Sequence, residues 1–221
     1  MKKTKFLEAV LGQMPFLEEA GDEKAFLRRI AMHFPRLSSD YRVIERAYYA
    51  SQIAVQEMKR ETGDDVITHL RATCLIQFEY LRIRDPVKNA TCLLHDIVED
   101  TSWTIERVRI EFGEEVACNL AYLSKPTIKD FPGLSKAQLL QIYYNYLAIA
   151  PRSVWEVKAP DRFHNLVTLW NSSPEKIVRK AKETRTYYLP HAERLGIMFH
   201  ELKAAVESLE EELKTLRQQT S

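Results

Sequence analysis

The stretch Leu93-Leu94-His95-Asp96-Ile97-Val98-Glu99-Asp100-Thr101 decides how this chain is read. It crowds four ionisable side chains into six positions of an otherwise apolar run, which is costly unless something binds them. On a helix, His95 and Glu99 share a face, as do Asp96 and Asp100, so the pairs form adjacent rows aimed at one neighbourhood. A metal ion neutralises the carboxylates and uses a neutral imidazole, which lets such residues sit close together.

Outward from this stretch, apolar residues recur at helical spacing and not in alternation, with only six glycines and nine prolines in 221 residues. The fold class is all-α, a compact multi-helix bundle. Helices are expected over 22–34, 40–61, 67–81, 87–100, 104–112, 114–123, 136–149, 153–170, 174–189 and 197–218. Start signals are Ser38, Ser39 and Asp40 for the second and Thr101 with Ser102 for the fifth. Gly63 and Asp85-Pro86 act as stops, residues 125–134 form the clearest loop, and Pro160 should bend its helix. The last helix carries the stripe Leu202, Val206, Leu209, Leu213 and Leu216, which could form a dimer seam but more often packs on its own domain.

Lys plus Arg number 32 against 31 Asp plus Glu, which excludes the global basic field of a nucleic-acid or anionic-membrane binder. An anionic substrate must therefore be held by a local patch. Cys74, Cys92 and Cys118 are odd in number and set in apolar runs, which argues for buried thiols in a reducing compartment, the cytoplasm. The basic start Met1-Lys2-Lys3-Thr4-Lys5 is not followed by a signal-peptide core, because Glu8 and Gln13 interrupt it. No run reaches the ~18 apolar residues of a membrane helix.

Two further segments meet the same demand as the opening stretch. His69 ends Gly63-Asp64-Asp65-Val66-Ile67-Thr68-His69, and Asp161 lies in Lys158-Ala159-Pro160-Asp161-Arg162-Phe163-His164-Asn165. A site of His69, His95, Asp96 and Asp161 mixes nitrogen and oxygen without thiolate, which suits manganese, iron or cobalt better than structural zinc. Four protein ligands leave two octahedral positions for water and a phosphate oxygen, a catalytic arrangement. A bare His-Asp pair signals little, but Asp161, Asn165 and Thr168 also form one polar ridge on a helix otherwise carrying Phe163, Leu166, Leu169 and Trp170.

These segments, in this order, resemble the hydrolase domain of the RelA/SpoT family from about Val43 to Ile197. The anchors are Arg60 to His69, Leu93 to Thr101, Glu111-Phe112-Gly113-Glu114-Glu115-Val116-Ala117, Lys158 to Leu169, and Ala181 to Ile197. The resemblance implies an HD-type phosphohydrolase, a small alarmone hydrolase that removes the 3′-pyrophosphate from (p)ppGpp. By it, His69, His95, Asp96 and Asp161 are manganese ligands, and Glu99 with Asp100 positions or activates the attacking water. Arg60 stacks on or clamps the purine nucleotide, Asn165 and Thr168 contact ribose or phosphates, and Tyr188 lines the same pocket. Lys59, Lys125, Lys158 and Arg162 are the candidate cationic patch.

By the same resemblance, residues 1–40 are a helical extension, 41–197 the hydrolase domain and 198–221 an amphipathic helix. The chain departs from the family pattern at Glu61, where a second basic residue is usual, at Pro160, and from Lys125 to Ser135. Only 24 residues follow Ile197, so a hydrolase without a synthetase is expected. A cognate alarmone synthetase toxin is a candidate partner, and a second copy could dock through the C-terminal helix. Rival readings are the same chemistry on an adenosine alarmone or NADPH, or a non-catalytic nucleotide-sensing module. The intact ligand set argues against the last.

Overall fold

Short polar residues start most of the helices. The structure, a computed structural model, describes residues 3–61 and 63–219, and the side chain of Leu216 lies outside that description. The helices are α1 Lys5–Gly12, α2 Glu23–Ala31, α3 Ser39–Ala54, α4 Val66–Leu75, α5 Pro86–Leu94, the single turn α6 Ile97–Asp100, α7 Ile105–Phe112 and α8 Glu114–Leu123. They continue with α9 Lys136–Ile149, α10 Arg152–Val167, α11 Pro174–Glu183, α12 Leu189–Leu195 and α13 Phe199–Gln219. Side chains of Thr4, Asp22, Ser38, Asp85, Thr104, Ser135 and Ser173 accept from backbone N–H groups that the first turns leave free. The fifth expected helix is thus capped by Thr104, not by Thr101 or Ser102. Among the described residues there is no strand, only one isolated bridge between Lys59 and Asp65, so the fold is all-α.

Helix α10 is the axis of the bundle. It packs against α4, α5, α8 and α13, and α5 in turn lies along α3. Val154, Trp155, Val157, Ala159, Phe163 and Leu166 of α10 are fully buried. Pro160 neither breaks this helix nor ends it. Its missing N–H leaves the Glu156 carbonyl without its usual partner, and the buried Gln77 side chain donates to that carbonyl at 3.1 Å. Gln77 can do so because α4 widens into a π-helical turn over Ile76–Tyr80, where Leu81 N–H bonds back to Ile76 at 3.0 Å.

Several expectations change with the structure. The helix that starts at Ser39 stops at Ala54, well before Gly63, and residues 55–61 and 63–65 are not helical. Helix α1 lies within the expected N-terminal helical extension, ahead of the helix expected over 22–34; its Leu7 and Val10 are buried, it packs on α13, and Thr4 N–H donates to Ser208 Oγ at 3.0 Å. Leu202, Val206, Leu209 and Leu213 are buried within the chain, where α13 meets α1, α10, α11 and α12. The stripe is therefore an intramolecular face, which removes the seam that dimerisation through this helix required. Cys74 and Cys92 are buried thiols, but Cys118 is exposed and donates to Glu114 Oε1 at 3.1 Å. Among the described residues, no helix is long and apolar enough to cross a membrane.

Candidate metal centre and its cavity

The site begins with a helix that stops early. The apolar pattern runs on from Val87 to Asp100, yet α5 ends at Leu94 and the chain turns at His95 and Asp96 before α6. A helix end leaves carbonyls without partners. Here Ser51 of α3 donates its hydroxyl to the Leu93 carbonyl at 2.7 Å, and His95 Nδ1 lies 2.7 Å from the Cys92 carbonyl. Nδ1 must carry a proton to make that bond, so the imidazole turns its other nitrogen, Nε2, away from its own helix.

That nitrogen meets three other groups. His69 projects from α4 and Asp161 from α10, and one donor atom from each of His69, His95 and Asp161 lies within 4.8 Å of the others, all three residues being buried. Asp161 Oδ1 is 3.2 Å from His69 Nε2 and 3.5 Å from His95 Nε2; Asp96 Oδ2 is 3.7 and 3.2 Å from the same two nitrogens. Neither buried Nε2 makes a hydrogen bond. Donor atoms that share an ion at about 2.1 Å lie about 3 Å from one another. Two orphaned imidazole nitrogens and two carboxylates at this spacing fit a divalent cation. Burial pulls the His95 pKa down, but Asp96 and Asp161 outweigh it and hold the imidazolium well above its ordinary value. The Asp161 carboxyl, which burial alone would raise, is held well below its ordinary range by Lys158, His69 and His95.

One face of α10 supports this centre. Asn165 donates Nδ2–H to Asp161 Oδ1 at 2.5 Å and accepts on Oδ1 from Arg60 Nη2 at 2.6 Å; Arg60 Nη1 reaches Thr168 Oγ1 at 3.4 Å. Arg60 is presented by the tight turn before α4, in which Gly63 N–H bonds the Arg60 carbonyl and Arg60 N–H bonds that of Asp64. Gly63 sits there at φ +91°, a conformation other residues rarely adopt. A cavity of about 400 Å³ opens above, lined by His69, Asp96, Asp100, Arg60, Asn165 and Thr168, with Lys59, Glu61, Arg162, Lys176 and Lys180 around them.

The expected site residues thus divide. Arg162 reaches the cavity, but its guanidinium is committed to Thr184 Oγ1 at 2.8 Å and the Lys180 carbonyl at 2.6 Å. Lys158 is buried behind the centre, its Nζ 2.9 Å from Asp161 Oδ2. Tyr188 is 3% exposed, edge-on to Trp155 and Tyr144, with Arg162 over its ring, and is not among the residues lining this cavity. Glu99 and Lys125 line a neighbouring cleft instead, while Asp100 faces the metal cavity. Burial, Asp96 and Glu99 raise the Asp100 carboxyl to about 6. Sequence reasoning passed over His164, Lys176 and Lys180. The lysines were findable as an i, i+4 pair on α11 behind the Ser173-Pro174 start, and Lys176 is ion-paired with Glu61 at the cavity rim.

The HD domain family model matches residues 46–198. A GTP pyrophosphokinase of Streptomyces coelicolor is 35% identical over 172 residues, covering 77% of this chain and 20% of the relative. A guanosine-3′,5′-bis(diphosphate) 3′-pyrophosphohydrolase of Haemophilus influenzae is 37% identical over 139 residues, 62% of this chain and 20% of the relative. The bifunctional (p)ppGpp synthase/hydrolase SpoT of Escherichia coli is 33% identical over 167 residues, 75% and 23%. The chain therefore spans only about a fifth of the length of these relatives. A solved structure of a metazoan ortholog of SpoT, described as hydrolysing ppGpp and acting in starvation responses, shares the fold with a TM-score of 0.54 at 19% identity, over 83% of this chain and 97% of that one. The chain belongs to the HD domain family.

Proposed function

We propose that this chain is a divalent-metal hydrolase, manganese-dependent, that removes the 3′-pyrophosphate of (p)ppGpp to give GDP or GTP and pyrophosphate. One observation carries the reading: the orphaned Nε2 atoms of His69 and His95 converge with Asp96 and Asp161, and His69 and Asp96 of this group line a cavity whose walls also carry Lys59, Arg60, Lys176 and Lys180. The nitrogen and oxygen donor set suits manganese, iron or cobalt. A divalent ion held there supplies Lewis acidity toward a phosphate oxygen and makes water acidic enough to attack at neutral pH.

The chain's own residues do the rest. Asp100, poised near 6 and facing the cavity, accepts the proton of the attacking water at neutral pH, where it is mostly ionised. Arg60, braced by Asn165 and Thr168, clamps the nucleotide, and Lys176 with Lys180 holds phosphate charge at the rim. Relatives named as 3′-pyrophosphohydrolases support the choice of substrate and of scissile bond. Incubation of the purified protein with manganese and ppGpp, resolved by anion-exchange chromatography, should yield GDP and pyrophosphate in equal amounts and stop on chelation. Orthophosphate as the first product would overturn the bond assignment.

A further inference from the structure

His95 has its tautomer fixed by a backbone carbonyl, but His69 does not. Its Nδ1 faces the Nδ1 of His164 at 2.8 Å, the two rings 4.9 Å apart and inclined by 36°. Two ring nitrogens at this distance share a single proton across the contact. Either ring can hold it. Only one of the two arrangements leaves His69 Nε2 with a lone pair: the proton must sit on His69 Nδ1 and His164 Nδ1 must accept it. His164, Asn165 and Thr168 follow Asp161 by three, four and seven positions, so one helix face supplies a carboxylate and the groups that orient its neighbours.

We propose that His164 is a positioning residue, which selects the Nδ1-protonated tautomer of His69 by accepting its hydrogen bond and so makes His69 Nε2 a metal donor. The inference rests on the reading of His69 as a ligand. His164 itself does not touch the ion, and its contribution is to affinity: an outer partner of a ligating imidazole is typically worth about 10- to 100-fold in binding. The amide oxygen of asparagine can occupy the place of Nδ1 and accept the same bond, whereas leucine fills similar space and cannot.

The test measures manganese binding by calorimetry to the full chain and to His164→Leu and His164→Asn, with circular dichroism for the fold. Wild type should bind one ion, His164→Leu should bind about 10- to 100-fold more weakly, and His164→Asn should recover most of the loss. Long-range proton–nitrogen NMR on the wild-type protein loaded with diamagnetic zinc gives a second measure that needs no variant. It should show His69 protonated at Nδ1 and His164 at Nε2. Equal affinity in wild type and His164→Leu, equal weakness of folded Asn and Leu variants, or a His164 protonated at Nδ1 would each overturn the proposal while leaving the metal centre standing. A wild-type protein that binds no divalent ion would instead overturn the centre, and this inference with it.

Discussion

Glu99 is tied to Lys125 twice: its Oε1 accepts the Lys125 backbone N–H at 2.7 Å and its Oε2 pairs with the Lys125 ammonium at 2.6 Å. The adjacent Asp100 faces the metal cavity. Two neighbouring carboxylates thus stand in different surroundings, and variants at each separate their roles. Asp100→Asn should keep metal binding and lose roughly two to four powers of ten in single-turnover rate, the usual cost of a missing general base. Glu99→Gln, which breaks the ion pair, should lose less in that step and expose the segment after Lys125 to limited proteolysis. A larger chemical loss in Glu99→Gln than in Asp100→Asn would reverse the two roles.

Metal binding should release a proton. His95 is held charged by Asp96 and Asp161, and its Nε2 must be free of a proton to ligate an ion. In the metal-free protein that raised pKa stabilises the fold below about 6.5 and the gain is lost as pH rises through the folded value. Manganese affinity therefore falls as pH falls. Calorimetry in buffers of different ionisation enthalpy reads the proton count, and a count of zero at pH 7 would contradict the assignment.

Lys158 and Asp161 form a buried pair, with 8% and 5% of their side chains exposed. Removing one member of such a pair costs about 3–5 kcal/mol, because the other is left buried and uncompensated. Lys158→Met should lower the stability of the metal-free protein by that order, and manganese should narrow the gap between variant and wild type, since the ion takes over the lysine's charge. Denaturant titration with and without metal measures both. A gap that metal does not change would separate Lys158 from the centre.

Arg60 uses the two arms of its guanidinium on Asn165 and Thr168, a fork that lysine cannot reproduce. Arg60→Lys should raise KM for ppGpp roughly tenfold, about 1.4 kcal/mol or one charge-assisted hydrogen bond, with a smaller change in kcat. Steady-state kinetics decides. A fall in kcat at constant KM would move Arg60 from substrate binding to chemistry.

Much of this arrangement is legible in the amino-acid sequence. The spacing of apolar residues marks most helices, His95 and Asp96 stand out because charged groups in an apolar run need a partner, and His69 and Asp161 join them through the matched order of segments. What hides is tertiary. The periodicity of Val87 to Asp100 continues through the point where α5 ends, since the break is held by Ser51 from a distant helix and by the His95 imidazole itself. Pro160 signals a missing donor, but Gln77, which bonds the carbonyl left free, is far away in the chain and invisible in the local sequence. Adjacent Glu99 and Asp100 read as one pair in the sequence, which does not show the contacts that Glu99 makes with Lys125. His164 carries no signal by itself; only its contact with His69 gives it a role.

The most direct measurement is anomalous diffraction from crystals grown with manganese, collected above and below the metal's absorption edge. A single anomalous peak should lie about 2.0–2.3 Å from His69 Nε2, His95 Nε2 and carboxylate oxygens of Asp96 and Asp161. A peak at any other group of residues, or none at saturating manganese, would contradict the account.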